Sequence, residues 1–291
     1  MTGRDGRLPL LIALAAISCA ACGRGDTPGR STLDRIRSDG TVRVGYANEA
    51  PFAYRETASG TLTGEAPEIA RVVLSRMEVE SIDGVLTEFG SLIPGLQAGR
   101  YDLIAAGMYI QPERCEQVAL SNPTYSIGEA LVVQAGNPQG LHAYEDLRDQ
   151  SEATIGVVAG AIERAYARAV DIPEDRIVTF PDAPSALASV RIGRVSAYAG
   201  TELTVQNLLA KDSTGLEQAL PFRDPVIDGK TVRGYGAFAF RKADRELLDA
   251  FNRQLSTFIG TDAHLSLVAP FGFTRAQLPG TVTADELCAR D

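Results

Sequence analysis

An arginine in the first turn of a helix that follows a buried strand can grip a carboxylate, and Tyr101-Asp-Leu-Ile-Ala-Ala-Gly-Met-Tyr-Ile-Gln-Pro-Glu-Arg-Cys115 has that pattern. Leu103 to Ala106 reads as a buried strand, Gly107 as a break and Pro112 as the first turn of a helix, where the amide that proline lacks would be unpaired anyway. Tyr109 and Arg114 fall at the join, and open α/β sheets bind ligands at such carboxyl ends of strands. An arginine on an exposed helix would look the same in isolation, so the rest of the chain decides. Farther on, Gly160 and Ala161 head a helix and can offer backbone amides, and Thr201 can add a hydroxyl. The histidines, His142 and His264, lack the spacing of a nucleophile triad. No Cys or His stands near Cys115 or Cys288 at zinc-ligand spacing, so neither a metal nor another cofactor is expected.

The elements that would position these groups alternate. A capped helix from Ser31 ends at Asp39-Gly40, and Thr41 to Tyr46 alternates as a strand leading to the loop Ala47 to Phe52. Ala66 to Met77 is amphipathic, with Ile69, Val72, Val73 and Met77 on one face. Val85 to Phe89 reads as a strand, and Ser91 as the cap of a helix that stops by Gly99. A second series follows: a helix near Tyr144, the strand Thr154 to Val158, a helix from Ala161, the strand Ile177 to Phe180, a helix capped by Asp182, the strand Val195 to Ala199 and a helix from Glu202. Asp228-Gly229 marks a hairpin before a strand to Phe240. The final part is helical from Leu247 to Ile259, then loop-like through Phe273. Such alternation predicts α/β layers around parallel sheets.

The formal charge is −9, which argues against nucleic acid and anionic lipid surfaces as partners. Arg4 and Arg7 precede an apolar run, Leu8 to Ile17, that is too short to span a bilayer as a helix. The following Ser18-Cys19-Ala20-Ala21-Cys22-Gly23 resembles a bacterial lipoprotein signal, with Cys22 (or Cys19) bearing the lipid; an ordinary cleaved signal peptide is the alternative. Either way the chain is expected to be exported. Residues 1–21 are then the signal and 22–30 a polar linker. In an oxidising compartment the remaining pair, Cys115 and Cys288, suggests a disulfide; two unrelated buried thiols are the other possibility.

The ordered pieces TVRVGY, APF, GEAPEIAR, SLIPGLQAGRYDLIAAGMYIQPER, LSNPTY, IGVVAG, GRVSAYAG and RGYGAFAFRKADRELL resemble the extracytoplasmic solute-binding proteins of polar amino-acid ABC importers across nearly all of the mature chain. That resemblance implies a two-lobed periplasmic-binding-protein-like fold of type II, two crossover hinge strands and a ligand cleft between the lobes. Lobe 1 would comprise residues 31–134 and 234–291, and lobe 2 residues 135–233. Amino-acid binders of the family hold the ligand carboxylate with an arginine placed like Arg114 and the ammonium with an aspartate where this chain has Thr201. The carboxylate clamp is kept and the ammonium clamp is not.

Tyr46 to Phe52, Gly64 to Glu68, Ala106 to Cys115, Tyr198 to Thr201 and the cysteine-bearing tail look like the ectoine/hydroxyectoine-binding subgroup. The resemblance implies an aromatic box of Phe52, Phe89 and Tyr109 around a cyclic amidinium, Glu49 accepting from its ring N–H groups and Arg114 pairing with its carboxylate. Aromatic faces suit such a weakly hydrated cation, at roughly 0.5–2 kcal/mol per contact, and the guanidinium fork suits a carboxylate. The expected function is a monomeric, lipid-anchored receptor that delivers ectoine or hydroxyectoine to a membrane permease. A receptor for a polar amino acid or another zwitterion is the nearest alternative. An enzyme resembling the cyclohexadienyl dehydratases would need a positioned acid or base, and Glu49 facing a cation reads better as a binder. A sensor would need a membrane span and signalling domain, and the chain stops at Asp291 with neither, so both roles are set aside.

Overall fold

The strand Thr41–Tyr46 pairs in parallel along its whole length with Ser81–Leu86, from Thr41 opposite Ser81 to Tyr46 opposite Leu86. On its other side it pairs in parallel with Leu103–Tyr109. Gly234–Phe240 then lies antiparallel to that strand and also pairs with Ala119–Leu120 and Tyr125–Ile127, completing one six-stranded sheet. These relations come from a computed structural model that describes residues 2–3 and 30–289. Residues 4–29, which include both candidate lipid cysteines, Cys19 and Cys22, lie outside the described residues.

A separate five-stranded sheet has Ile155–Val158 flanked in parallel by Ile177–Phe180 and Ala197–Thr201. Glu129–Gln134 runs antiparallel beside Ala197–Thr201, and Leu216–Gln218 closes the edge. The chain therefore crosses between sheets twice, after Ile127 and before Gly234. The α/β layers are those expected from the alternating pattern, and the two-lobe architecture is that implied by the family resemblance.

The strand Glu129–Gln134 belongs to the second sheet, not to the first lobe in which residues 31–134 were grouped. Its Ala130, Leu131, Val132 and Val133 are all fully buried, and a short run that is apolar on both faces does not indicate which sheet it joins. Three other boundaries also move. The strand expected at Val85 to Phe89 lies at Ser81–Leu86, so Phe89 instead opens a short 3-10 turn, Phe89–Ser91. Leu103–Tyr109 continues through Gly107, whose φ of +66° places it where a side chain would meet the Phe52 ring. The tail is helical at Asp262–Val268 and Ala284–Cys288, the second closed by a Thr283/Glu286 capping box.

The helix Glu65–Ser75 buries Ile69, Ala70, Val73 and Leu74 against the first sheet, and Arg245–Ser256 does the same with Leu247, Leu248 and Phe251. A second apolar core, with Leu131, Tyr144, Ile155 and Ala197, lies in the other sheet's layer. Cys115 and Cys288 are joined by a disulfide, which fastens the tail helix to the short helix Pro112–Cys115. Among the described residues no helix is long and apolar enough to cross a membrane.

Candidate functional site

The carboxyl ends of Thr41–Tyr46, Ser81–Leu86 and Leu103–Tyr109 all point to one rim of the first sheet, and the loops that leave them carry Glu49, Phe52, Phe89 and Arg114. The facing rim of the second sheet supplies Val158, Ala161, Ile162, Glu163, Tyr198 and Thr201. Together with Tyr109 these residues line one pocket between the two rims. Six of the seven ligand residues expected from sequence thus line one space: Glu49, Phe52, Phe89, Tyr109, Arg114 and Thr201.

Gly160 is beside the cavity and not in its wall. Its carbonyl accepts a hydrogen bond of 2.9 Å from Arg114 Nη2, so it contributes an acceptor where amide donors were expected. It also permits close approach of the two lobes. Its φ is +77°, and a Cβ there would lie 2.6 Å from Gly90 Cα. Gly160→Ala is expected to hold the lobes apart and lower ligand affinity by roughly tenfold or more, since only the closed population binds tightly. Titration calorimetry beside a circular-dichroism melt would separate that loss from unfolding.

Arg114 is buried, yet no carboxylate hydrogen-bonds to it. Nη1 donates to the Tyr109 carbonyl at 2.8 Å and Nη2 to Gly160, which leaves further N–H groups of the fork for a ligand. Its guanidinium carbon stands 5.5 Å from the centre of the Phe89 ring. Burial lowers its pKa to about 10, with Glu163 the leading opposing influence, so it stays charged at neutral pH. Opposite Phe89, Phe52 packs on Tyr125 at 5.2 Å and on Phe273 at 5.7 Å, and Tyr109 meets Tyr125 edge-on at 6.3 Å. The cluster fixes the two cavity-lining rings, Phe52 and Tyr109, from behind. Tyr125 is itself held by its hydroxyl donating to the Gly107 carbonyl.

Glu49 sits at the seam. Thr204 Oγ1 donates to it at 2.7 Å, a hydrogen bond between the two lobes, while burial raises its pKa. Thr201 Oγ1 in turn donates to Thr204 Oγ1 at 3.0 Å and accepts from the Thr204 amide as the cap of the helix Glu202–Lys211. The threonine at the position where the resemblance implied an aspartate therefore acts first as a helix cap and a prop for Thr204. Thr201→Ala is expected to weaken binding only modestly. Thr204→Val, which strips the buried hydrogen bond from Glu49, should lower affinity roughly tenfold; equal affinities for the two variants in calorimetry would contradict this order.

Glu163 was not singled out by sequence, because an acidic residue in a first helical turn usually faces water. Here it is 5% exposed, lines the cavity and is pushed up to about 8 by burial. The only signal that pointed to it was its place just after the Ala159-Gly160 turn. No group of three or more His, Cys, Asp or Glu that could hold a metal occurs among the described residues.

Two α/β lobes, linked by two crossings and enclosing a cavity lined by aromatic and charged side chains, define a two-lobed extracytoplasmic binding protein. Residues 42–266 match the bacterial extracellular solute-binding proteins, family 3, and the chain belongs to that family. It is 41% identical over 266 residues to the probable amino-acid ABC transporter periplasmic-binding protein y4tE of Sinorhizobium fredii, covering 90% of this chain and 87% of that one. It is 27% identical over 223 residues to the lysine/arginine/ornithine-binding periplasmic protein of Escherichia coli, covering 74% and 81%. Among solved structures, EhuB in complex with hydroxyectoine superposes with a TM-score of 0.80 at 34% identity, covering 89% of this chain and 98% of that one. The ancestral amino acid-binding protein AncCDT-1, a precursor of cyclohexadienyl dehydratase, superposes with a TM-score of 0.71 at 26% identity, covering 83% and 99%. The chain is thus the solute-binding receptor of an amino-acid-type ABC importer, an extracytoplasmic component whose curated relatives are transport proteins.

Proposed function

We propose that the receptor binds ectoine or hydroxyectoine and presents it to the permease of its importer. One observation carries this reading: three aromatic rings, Phe52, Phe89 and Tyr109, share a cavity with one guanidinium, Arg114, and two carboxyl groups, Glu49 and Glu163. A planar amidinium fits among ring faces and carboxylates, and its carboxylate fits the remaining N–H groups of Arg114. The likeness to a hydroxyectoine-bound relative over most of the chain supports the same ligand class.

In this reading the ligand seats first on the lobe that bears Arg114, Phe52 and Tyr109. The lobe with Glu163 and Thr201 then closes, excludes water and strengthens the charged contacts. Lobe 1 runs to about Gly128 and resumes near Gly234, and the receptor acts as a monomer tethered by lipid at Cys22 or Cys19. A polar amino acid is the second reading, favoured by the amino-acid binders among its relatives. A dehydratase on this fold is less well supported, since it would need a positioned acid or base, and Glu49 is held by a hydrogen bond from Thr204.

Calorimetric titration of the mature protein with ectoine, hydroxyectoine, glycine betaine, histidine, glutamine and arginine tests the assignment. Tight binding of the ectoines alone is the expected result. Tight binding of an amino acid with none of the ectoines would replace the ligand while leaving the receptor class in place.

A further inference from the structure

Behind the aromatic cluster lies a second, smaller pocket that shares no wall residue with the solute cavity. Glu65, Thr124, Tyr125, His264 and Phe273 are among its walls. Every residue that lines it belongs to the first lobe, so opening of the cleft leaves it assembled. Tyr125 and Phe273 also pack on Phe52, and one pair of rings therefore backs both spaces. Glu65 opens the helix Glu65–Ser75 and is 1% exposed, yet neither of its carboxyl oxygens has a hydrogen-bond partner. A buried carboxyl left in that state is costly, so something must answer it.

No cationic side chain does so. The pocket has no lysine or arginine in its walls. His264 is held neutral, because its Nδ1 accepts from the Gly260 amide at 3.2 Å and burial lowers its pKa. The charged residues on the flanking elements are engaged elsewhere: Glu68 with Arg71 at 2.8 Å, and Asp262 with Arg275 at 2.7 Å. The Thr124 hydroxyl, which moderates the burial of Glu65, donates to the Gly236 carbonyl at 3.4 Å. What remains is two unpartnered carboxyl oxygens, a hydroxyl oxygen and two aromatic rings, around room for a guest about the size of a water molecule. Oxygen acceptors beside aromatic rings are the chemistry that receives a weakly hydrated cation.

We propose that this back pocket seats a small monovalent cation of the ammonium or potassium class, with the Glu65 carboxylate as its counter-charge and Thr124 Oγ1 as a further oxygen. A single carboxylate balances a single charge and is too little for a divalent ion, in keeping with the lack of any three-residue His, Cys, Asp or Glu group among the described residues. The seat is distinct from the solute cavity and does not depend on which solute the receptor carries. The two communicate through Tyr125 and Phe273, the rings that hold Phe52 in place. Without the cation the carboxyl keeps a proton instead, since burial pushes it up to about 8. Cation and proton compete for the same oxygens. Cation affinity should therefore rise with pH, by at most about tenfold per pH unit, and level off above that value.

Thermal melts of the solute-free protein at pH 8.5, in equal concentrations of ammonium, potassium and choline chloride, test this. Choline is too large for a water-sized space. The wild-type midpoint should be higher in ammonium or potassium than in choline by about 2–5 °C, at ion concentrations about tenfold above the dissociation constant. The gain should shrink at pH 6. Glu65→Gln, which keeps the shape of the side chain, should lose it. A second arm needs no variant: thallium(I), a heavy surrogate for either ion, should give an anomalous peak beside Glu65 and Thr124 in crystals of the wild type. A gain in ammonium without one in potassium would support a guest held by hydrogen bonds, and a gain in both would support a seat that selects by size. Equal wild-type midpoints in all three salts, a gain that survives in Glu65→Gln, or thallium absent from this pocket would overturn the proposal and leave Glu65 a neutral, proton-bearing acid.

Discussion

Arg114→Ala is expected to lower ligand affinity by roughly 30-fold to several thousand-fold, the range that follows from losing 2–5 kcal/mol with one member of a buried charged pair. The arginine is 7% exposed, and its buried neighbours include ring faces and backbone carbonyls but no hydrogen-bonded carboxylate. A ligand carboxylate would therefore be the close counter-ion that the pocket itself withholds. The same side chain links the lobes, through Tyr109 on one and Gly160 on the other. Its loss should both remove the clamp and favour the separated lobes. Arg114→Lys should fare little better, because an ammonium cannot span two carbonyls and still present a planar fork. Calorimetry on folded variants, checked by far-ultraviolet circular dichroism, measures this; affinity within threefold of wild type would place the ligand elsewhere.

Removing the disulfide by Cys115→Ser with Cys288→Ser should cost about 2–5 kcal/mol of stability. In a chain of this size that corresponds to a midpoint lower by about 5–15 °C. The bond closes a loop of 173 residues, long enough for a substantial restriction of the unfolded chain. It also bears on the site. Cys115 follows Arg114 in a one-turn helix, Pro112–Cys115, which is too short to be stable by itself. The tail helix is anchored independently by the Asn122 side chain, which accepts from the Ala284 amide at 3.1 Å. Without the disulfide, ligand affinity should fall a few-fold as well as the melting point. A melt of oxidised and reduced protein, with and without ligand, reads both effects, and coincident curves would show that the bond does neither.

Much of the candidate site was legible because the pocket-lining residues follow strands, and strands announce themselves by alternation and punctuation. Tyr109 and Arg114 could be read from the strand–proline–arginine sequence alone, while Glu49, Phe52 and Phe89 needed the family resemblance to distinguish them from other aromatic and acidic residues. Glu163 and Glu129 were hidden for a physical reason. An acidic residue at a helix start or strand start is normally solvated, whereas both of these are buried by the tertiary packing around them. The assignment of Glu129–Gln134 to the wrong lobe has a related origin, since pairing partners 60 or more residues away decide it, as with Thr201 opposite Glu129. Thr201 illustrates a further limit: sequence located it in the site, but its place as cap and prop depends on Thr204 reaching Glu49 across the seam.

The crossover between sheets is stapled where it begins. Asp224 Oδ1, on the outgoing strand of chain, accepts from the Glu129 amide on the incoming one at 2.7 Å, and a side chain at Gly128 would collide with that carboxylate. The stretch from Glu129 to Asp224 thus behaves as a cassette inserted in a host, with its two ends clasped by one residue. A graft of this cassette into a relative would carry its own half of the ligand site, provided that Gly128 and Asp224 travel with it as a matched pair. Specificity in such a family can then be exchanged lobe by lobe at a junction that the chain already defines.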